Sequence, residues 1–203
     1  MIKTLLSAVG IRREYSHKSK ELKYWKDAGK AKGNEFYNRY IEAFGLKKDY
    51  FNKRSVGDFG SGPFGGVTSV IGGHRSAYPI DILADEYNEM GLSGEHIMRF
   101  DGKKTALPSG CMDIIFCCNA IDHTAYPGRM INEIHRLLSP AGELFLSVHM
   151  RERSQVNMTH PIAWNEGIFR RLFRDFKVEW MRIEDTDKVN ECGYRTLYAK
   201  LVK

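Results

Sequence analysis

The sequence predicts an α/β fold, a three-layer α-β-α sandwich in which a mostly parallel sheet is covered by helices on both faces. Three observations predict it. Short apolar runs near 54–58, 77–82, 95–99, 112–118 and 143–149 alternate with helical stretches such as 127–138, and such alternation favours a parallel sheet buried on both sides. A glycine-rich turn follows the first run, where a sheet of this kind opens toward a ligand. The 203 residues bury one sizeable core but not two, so one structural unit is expected.

The leading segment, 1–50, reads as helical and strongly charged. Residues 21–26 lead through a break at Gly29 and Gly33 into 36–44, where Phe36, Tyr40 and Phe44 recur near helical spacing and suit packing on the sheet. Residues 51–203 form the main unit. Its first strand runs into Ser55-Val56-Gly57-Asp58-Phe59-Gly60-Ser61-Gly62-Pro63-Phe64-Gly65, an apolar approach, an acid, and glycines at G-x-G-x-x-G spacing. Gly60 and Gly62 let the backbone approach a ligand, and Gly65 permits tight packing where a helix starts. The next run, 78–83, places Asp81 about 20 residues past the first glycine, where a carboxylate accepts hydrogen bonds from ribose hydroxyls. Capping of a helix over 85–90 is the alternative use of Asp81. The acid Asp58 discriminates between cofactors. A pyrophosphate gains nothing from a nearby carboxylate, whereas S-adenosylmethionine presents an ammonium and a sulfonium and no phosphate.

Farther along come Phe100-Asp101-Gly102, then 106–115, then Asn119-Ala120-Ile121-Asp122-His123, and then 132–144 with its Pro140-Ala141-Gly142 turn. In this order and spacing, residues 54–150 resemble the class I S-adenosylmethionine-dependent methyltransferases. The chain departs from that pattern at Phe64, where a glycine is customary. The resemblance implies S-adenosyl-L-methionine as cofactor and S-adenosyl-L-homocysteine as product, bound by Asp58, Gly60, Ser61, Gly62, Asp81, Ile82, Asp101, Gly102 and Asn119. It also implies a leading helix that lies over the cofactor as a lid, with Tyr24, Trp25 and Tyr37 as candidates. The tail reads as a helix over 162–173 and two alternating runs, 176–183 and 194–202, with turn residues at 190–193 between them. That hairpin fits the family's seven-stranded sheet, in which strand seven is antiparallel and inserts between strands five and six.

Methyl transfer is an in-line attack, so the protein's main work is alignment and exclusion of water. His123, at the exit of strand four, either takes the proton of a hydroxyl acceptor or packs against the cofactor. His149, Arg151 and His160 follow strand five, where a substrate-facing loop belongs, and the Arg151 fork suits an anionic acceptor. The chain lacks the Asn-Pro-Pro-Tyr element of amino-methylating nucleic-acid enzymes, a Pro-Cys nucleophile, and the acid plus Asp-Asn pair of metal-dependent catechol enzymes. The expectation is a metal-independent enzyme that methylates oxygen or nitrogen of a small molecule or glycan precursor. An RNA methyltransferase and an inactive cofactor-binding accessory protein are the alternatives. The net charge of +6 is dispersed along the chain, and a nucleic-acid surface needs it clustered. Four cysteines without a C-x-x-C pair read as reduced thiols rather than metal ligands or a disulfide. No apolar run is long enough to span a bilayer and no signal peptide is evident, so a cytoplasmic location is expected.

Overall fold

The computed structural model describes residues 19–27, 34–157, 159–185 and 195–203. A helix, α1, covers 19–27. After it come a 3₁₀ turn at Asn34–Tyr37, helix α2 at Asn38–Ala43 and a second 3₁₀ turn at Lys48–Phe51. The sheet then forms from β1 (Ser55–Phe59), β2 (Ser76–Asp81), β3 (Met98–Arg99), β4 (Met112–Cys118), β5 (Leu138–His149), β6 (Lys177–Asp185) and β7 (Arg195–Val202). Helices α3 (Ala84–Met90), α4 (Pro127–Leu137) and α5 (Glu166–Leu172) connect them.

The strand order is β3-β2-β1-β4-β5-β7-β6. Strands β1 to β5 pair in parallel, and β7 runs antiparallel to both neighbours, β5 and β6. This is the seven-stranded arrangement with an inserted, antiparallel last strand that the sequence led us to expect. The order reverses between β1 and β4, which opens a crevice at their carboxyl ends.

Side-chain alternation along the central strands builds the two inner layers. Ile114, Phe116 and Cys118 of β4 join Val56, Phe145 and Tyr198 on one face, against Tyr37, Tyr40, Phe44 and Phe51. Ile115 and Cys117 join Phe59, Leu144, Leu146 and Leu197 on the other, against Ile131, Ile134 and Leu137 of α4 and Phe169 of α5. The aromatic spacing at 36–44 thus reports packing on the sheet. Phe44 meets Phe145 at 5.1 Å and Tyr198 at 5.7 Å between ring centroids, both edge-on, a favoured arrangement for aromatic pairs. Cys111, Cys117 and Cys118 are free thiols, the latter two buried, and Cys192 lies outside the described residues.

Four elements differ from the sequence expectation. No α-helix starts at Gly65. Gly65 and Gly66 both take positive φ, 86° and 65°, and the chain emerges into a 3₁₀ turn, Gly66–Ser69, because two successive left-handed residues cannot begin a right-handed helix. The third strand is confined to Met98–Arg99, since Glu95 and His96 are exposed and have no sheet to cover. The fifth begins at Leu138, five residues before 143, and runs through Pro140 and Gly142 with a register shift opposite Met112 and Ile114. The tail helix is Glu166–Leu172, capped by the Asn165 side chain, which accepts from the Ile168 N–H. The turn expected at 190–193 lies outside the described residues.

Candidate active site

The carboxyl ends of β1, β2 and β4 converge on the glycine loop. Gly60 has φ 85° and donates its N–H to Ile80 O at 2.8 Å. A Cβ at Gly60 would stand 2.2 Å from the Cβ of Ala120, so the loop and the β4 exit touch through the space that glycine leaves. Ser61 is fully buried and also donates to Ile80 O.

Two buried acids hold this loop. Asp58 accepts the Val67 N–H at 2.6 Å through Oδ2. Asp81 accepts Gly62 N–H at 3.0 Å through Oδ2 and Leu83 N–H at 2.9 Å through Oδ1. Asp81 therefore ties the glycine loop to the start of α3. A carboxylate has about four lone-pair positions, so these two bonds leave room for two more donors. Burial pushes Asp58 up to about 7 and Asp81 up to about 6, with the backbone donors pulling the other way.

Helix α1 lies across the loop. Leu22 and Trp25 pack with Ile82 against Leu83 and Tyr87, and Trp25 meets Phe64 edge-on at 6.1 Å. A Cβ on Gly62 would approach the Trp25 ring at 3.4 Å and Tyr37 Oη at 3.0 Å. Trp25 and Tyr37 thus face the loop, whereas Tyr24 is 45% exposed and does not line it as a lid candidate should. Glu21, which sequence reasoning passed over, accepts from the Trp25 indole at 2.8 Å, and its charge contributes to the upward shift of Asp81.

The expected adenine turn sits after β3. Asp101 is exposed, and its Oδ1 accepts from Lys103 and Lys104 N–H, which holds its carboxyl below the usual range. Gly102 has φ 87°. At the β4 exit Asn119 adopts φ 51° and donates its N–H to Ser147 O.

Beyond Asn119 a 3₁₀ turn, Ile121–His123, starts a second constellation. Asp122 is fully buried. His160 Nδ1 lies 3.4 Å and His149 Nδ1 3.8 Å from its Oδ2, and the His123 and His160 rings are 4.3 Å apart. Burial alone would raise the Asp122 carboxyl, but His160, His123 and His149 hold it below its ordinary value. Burial pushes His149 down to about 4, against the pull of Asp122 and reinforced by Arg151. His123 is lowered for the same reasons, burial first. Arg151 is 6% exposed, and its backbone N–H donates to Trp164 O at 3.1 Å. The structure thus brings His123, His149 and His160 together around one carboxylate, and places Arg151 within their field. Asp122 was legible only as a neighbour of His123. Nothing local in the sequence marks it as the centre.

The residues fit an adenosine cofactor with a cationic tail. Tyr37 Oη and Asn119 Oδ1 are buried and have no hydrogen-bond partner among the described residues, and they flank the glycine loop, Tyr37 beside Gly62 and the residue after Asn119, Ala120, beside Gly60. A family model for a methyltransferase domain matches residues 58–146. Residues 58–146 are a methyltransferase domain. No curated protein sequence matches this methyltransferase, but many solved structures share its fold. A SAM-dependent methyltransferase from Aquifex aeolicus aligns at TM-score 0.57 and 21% identity, over 81% of this chain and 89% of that one. The Burkholderia thailandensis 1,6-didemethyltoxoflavin-N1-methyltransferase, with its substrate and S-adenosylhomocysteine bound, aligns at TM-score 0.63 and 16% identity, over 97% and 88%. The Haloferax volcanii complex of the Trm112 activator with a methyltransferase aligns at 0.62 and 15%, over 89% and 96%. The matched domain is one of methyl transfer, and S-adenosylmethionine is the cofactor expected for it.

Cofactor binding against the two loop acids is expected to be linked to proton release. An acid whose pKa is raised by folding favours the folded state at low pH, and that contribution is lost as pH rises through its folded value. A bound ammonium group favours the ionised carboxylates and offsets this loss. S-adenosylhomocysteine is therefore expected to bind about tenfold more tightly at pH 8 than at pH 6, with proton release at pH 6. Calorimetry in buffers of different ionisation heat measures both, and an affinity that does not change with pH counts against the assignment of Asp58 to the cofactor's cation.

Proposed function

We propose that this methyltransferase acts in the cytoplasm on the oxygen or nitrogen of a small molecule or glycan precursor. The observation that carries the reading is the buried Asp122–His123–His149–His160 constellation, which adjoins the glycine loop through the Gly60–Ala120 contact. S-adenosylmethionine, when bound, supplies the sulfonium methyl that an acceptor lone pair attacks in line, with S-adenosylhomocysteine as the other product.

The chain's residues do the rest. Gly60, Ser61 and Gly62 offer backbone, and Asp58, Asp81 and Ile82 line the loop side, with Asp101, Gly102 and Asn119 on the adenine and β4 sides. Trp25 and Tyr37 exclude water from above Gly62. In the metal-free protein His123 is the proton acceptor for a hydroxyl substrate, because burial keeps its imidazole neutral and a neutral ring nitrogen can take a proton. Arg151, His149 and His160 face the acceptor, and the Arg151 guanidinium suits a carboxylate or phosphate on it.

A small acceptor is favoured over RNA by how the cations are used. Arg54 and Lys200 pair with Glu143, Arg75 with Asp113, Arg99 with Asp85, Arg136 with Glu133 and Arg170 with Glu166. Nucleic-acid binding needs phosphate-facing charge, whereas each of these groups faces an acid of the same chain, and Arg54, Arg136 and Lys200 are largely covered. Calorimetry with S-adenosylhomocysteine and NAD, followed by transfer of a labelled methyl group to panels of hydroxyl and amine metabolites and to RNA, tests the reading. Binding of the former and labelling of a small molecule are expected. Tight NAD binding with no S-adenosylhomocysteine binding at millimolar concentration, or labelling of RNA alone, would overturn it.

A further inference from the structure

We propose that Asp122, His123 and His160 form a binding site for one divalent first-row metal ion such as zinc(II) or iron(II). One ligand atom from each of the three residues lies within 4.8 Å of the others. The decisive distance is the 3.4 Å between Asp122 Oδ2 and His160 Nδ1. A charge-assisted N–H···O bond is shorter, at about 2.7–2.9 Å. Two donors on one zinc ion, with bonds of about 2.0–2.1 Å and tetrahedral angles, stand about 3.3–3.4 Å apart. The pair is therefore spaced as ligands of a common ion rather than as a direct hydrogen bond.

The electrostatics ask for the same thing. Asp122 is fully buried, and neither carboxylate oxygen accepts a hydrogen bond of ordinary geometry among the described residues. Such a group is costly unless it is paired or coordinates a metal. Three imidazole rings surround it and can bring lone pairs to a shared cation. One carboxylate oxygen and two ring nitrogens suit zinc or iron(II), whereas magnesium and calcium prefer oxygen ligands throughout. His149 Nδ1 stands 3.8 Å from the same oxygen, beyond direct hydrogen-bond reach, and is outside the ligand set.

Three protein ligands leave an open position. Metal loading would change His123 from proton acceptor to ligand, and an acceptor hydroxyl on the metal would lose its proton to solvent more readily. The site itself rests on these side chains alone and does not depend on the methyl-transfer reading.

The test uses the full chain, stripped with chelator and titrated with cobalt(II) alone, whose visible absorption reports coordination, and then with zinc(II) in competition. One equivalent of cobalt with a visible band displaced by zinc is expected. His160→Gln and Asp122→Asn should each weaken binding by about tenfold or more, while His96→Gln, at an exposed site elsewhere, should leave it unchanged. Thermal melts establish that each variant is folded. His160 retains 16% side-chain exposure, so His160→Gln carries the test if Asp122→Asn does not fold. Less than about a tenth of an equivalent retained at micromolar protein, or binding unaffected by His160→Gln, would overturn the site. A chain that binds S-adenosylhomocysteine but no metal would overturn it while leaving the methyltransferase reading intact.

Discussion

Gly60→Ala is expected to destabilise the protein by about 3 kcal/mol and to weaken S-adenosylhomocysteine binding by about tenfold or more. Two separate costs add up. A residue with a Cβ pays about 1–2 kcal/mol in the left-handed region, and Gly60 sits at φ 85°. The added methyl would also stand 2.2 Å from the Cβ of Ala120, so the loop and the β4 exit must part, and such overpacking costs about 1–3 kcal/mol. For a chain of this size the total lowers Tm by about 6–12 °C. A second substitution separates the terms. Ala120→Gly in the Gly60→Ala background removes the steric clash and should restore the larger part of the stability, leaving the backbone cost of about 1–2 kcal/mol. Thermal melts and cofactor titrations of the four proteins of this cycle measure it. If the double variant is no better than Gly60→Ala, the loop and β4 are not in the contact described.

That contact was invisible in the sequence, although the glycine was not. The G-x-G-x-x-G spacing marks where backbone must turn, but it cannot show that Gly60 leaves room for a residue sixty positions later in the chain. Strand β4 was legible to the residue because its apolar run, broken only at Asp113, covers both faces of a buried strand. Strand β5 was legible only in its second half. Pro140-Ala141-Gly142 carries turn chemistry, yet the chain continues as strand there, with Ala141 at φ 61° and the register shifted against β4. Tertiary pairing overrode the local signal.

The site divides along the same line. The glycines, Asp58 and Asp81 are neighbours in sequence or stand at a fixed interval, so local spacing reveals them. Asp122, His123, His149 and His160 come from a turn after β4 and from the end of β5 and the loop beyond it. Only the parallel pairing of β4 with β5 brings these ends together, so their shared carboxylate had no sequence signature. The burial of Arg151 has no local sequence signal either.

Asp81 supplies the second large effect, because the structure gives it both roles that the sequence left as alternatives. It holds the Gly62 and Leu83 N–H groups, and its remaining lone pairs are the acceptors expected for the ribose. Asp81→Ala leaves two buried donors unsatisfied, each at about 1–3 kcal/mol, so it should cost about 2–6 kcal/mol of stability as well as cofactor affinity. Asp81→Asn retains one acceptor oxygen and most of the shape. It should stay nearer to wild-type stability while losing about 1.5–3 kcal/mol of S-adenosylhomocysteine binding, the scale for hydrogen bonds to a charged group, which is a rise in Kd of about 10- to 150-fold. Urea melts and calorimetry on both variants separate the structural from the binding term. The two losses should be uncoupled in Asp81→Asn and combined in Asp81→Ala. An Asp81→Asn protein that is folded and binds S-adenosylhomocysteine as tightly as the parent would confine this carboxylate to the loop tie and leave the ribose to other groups.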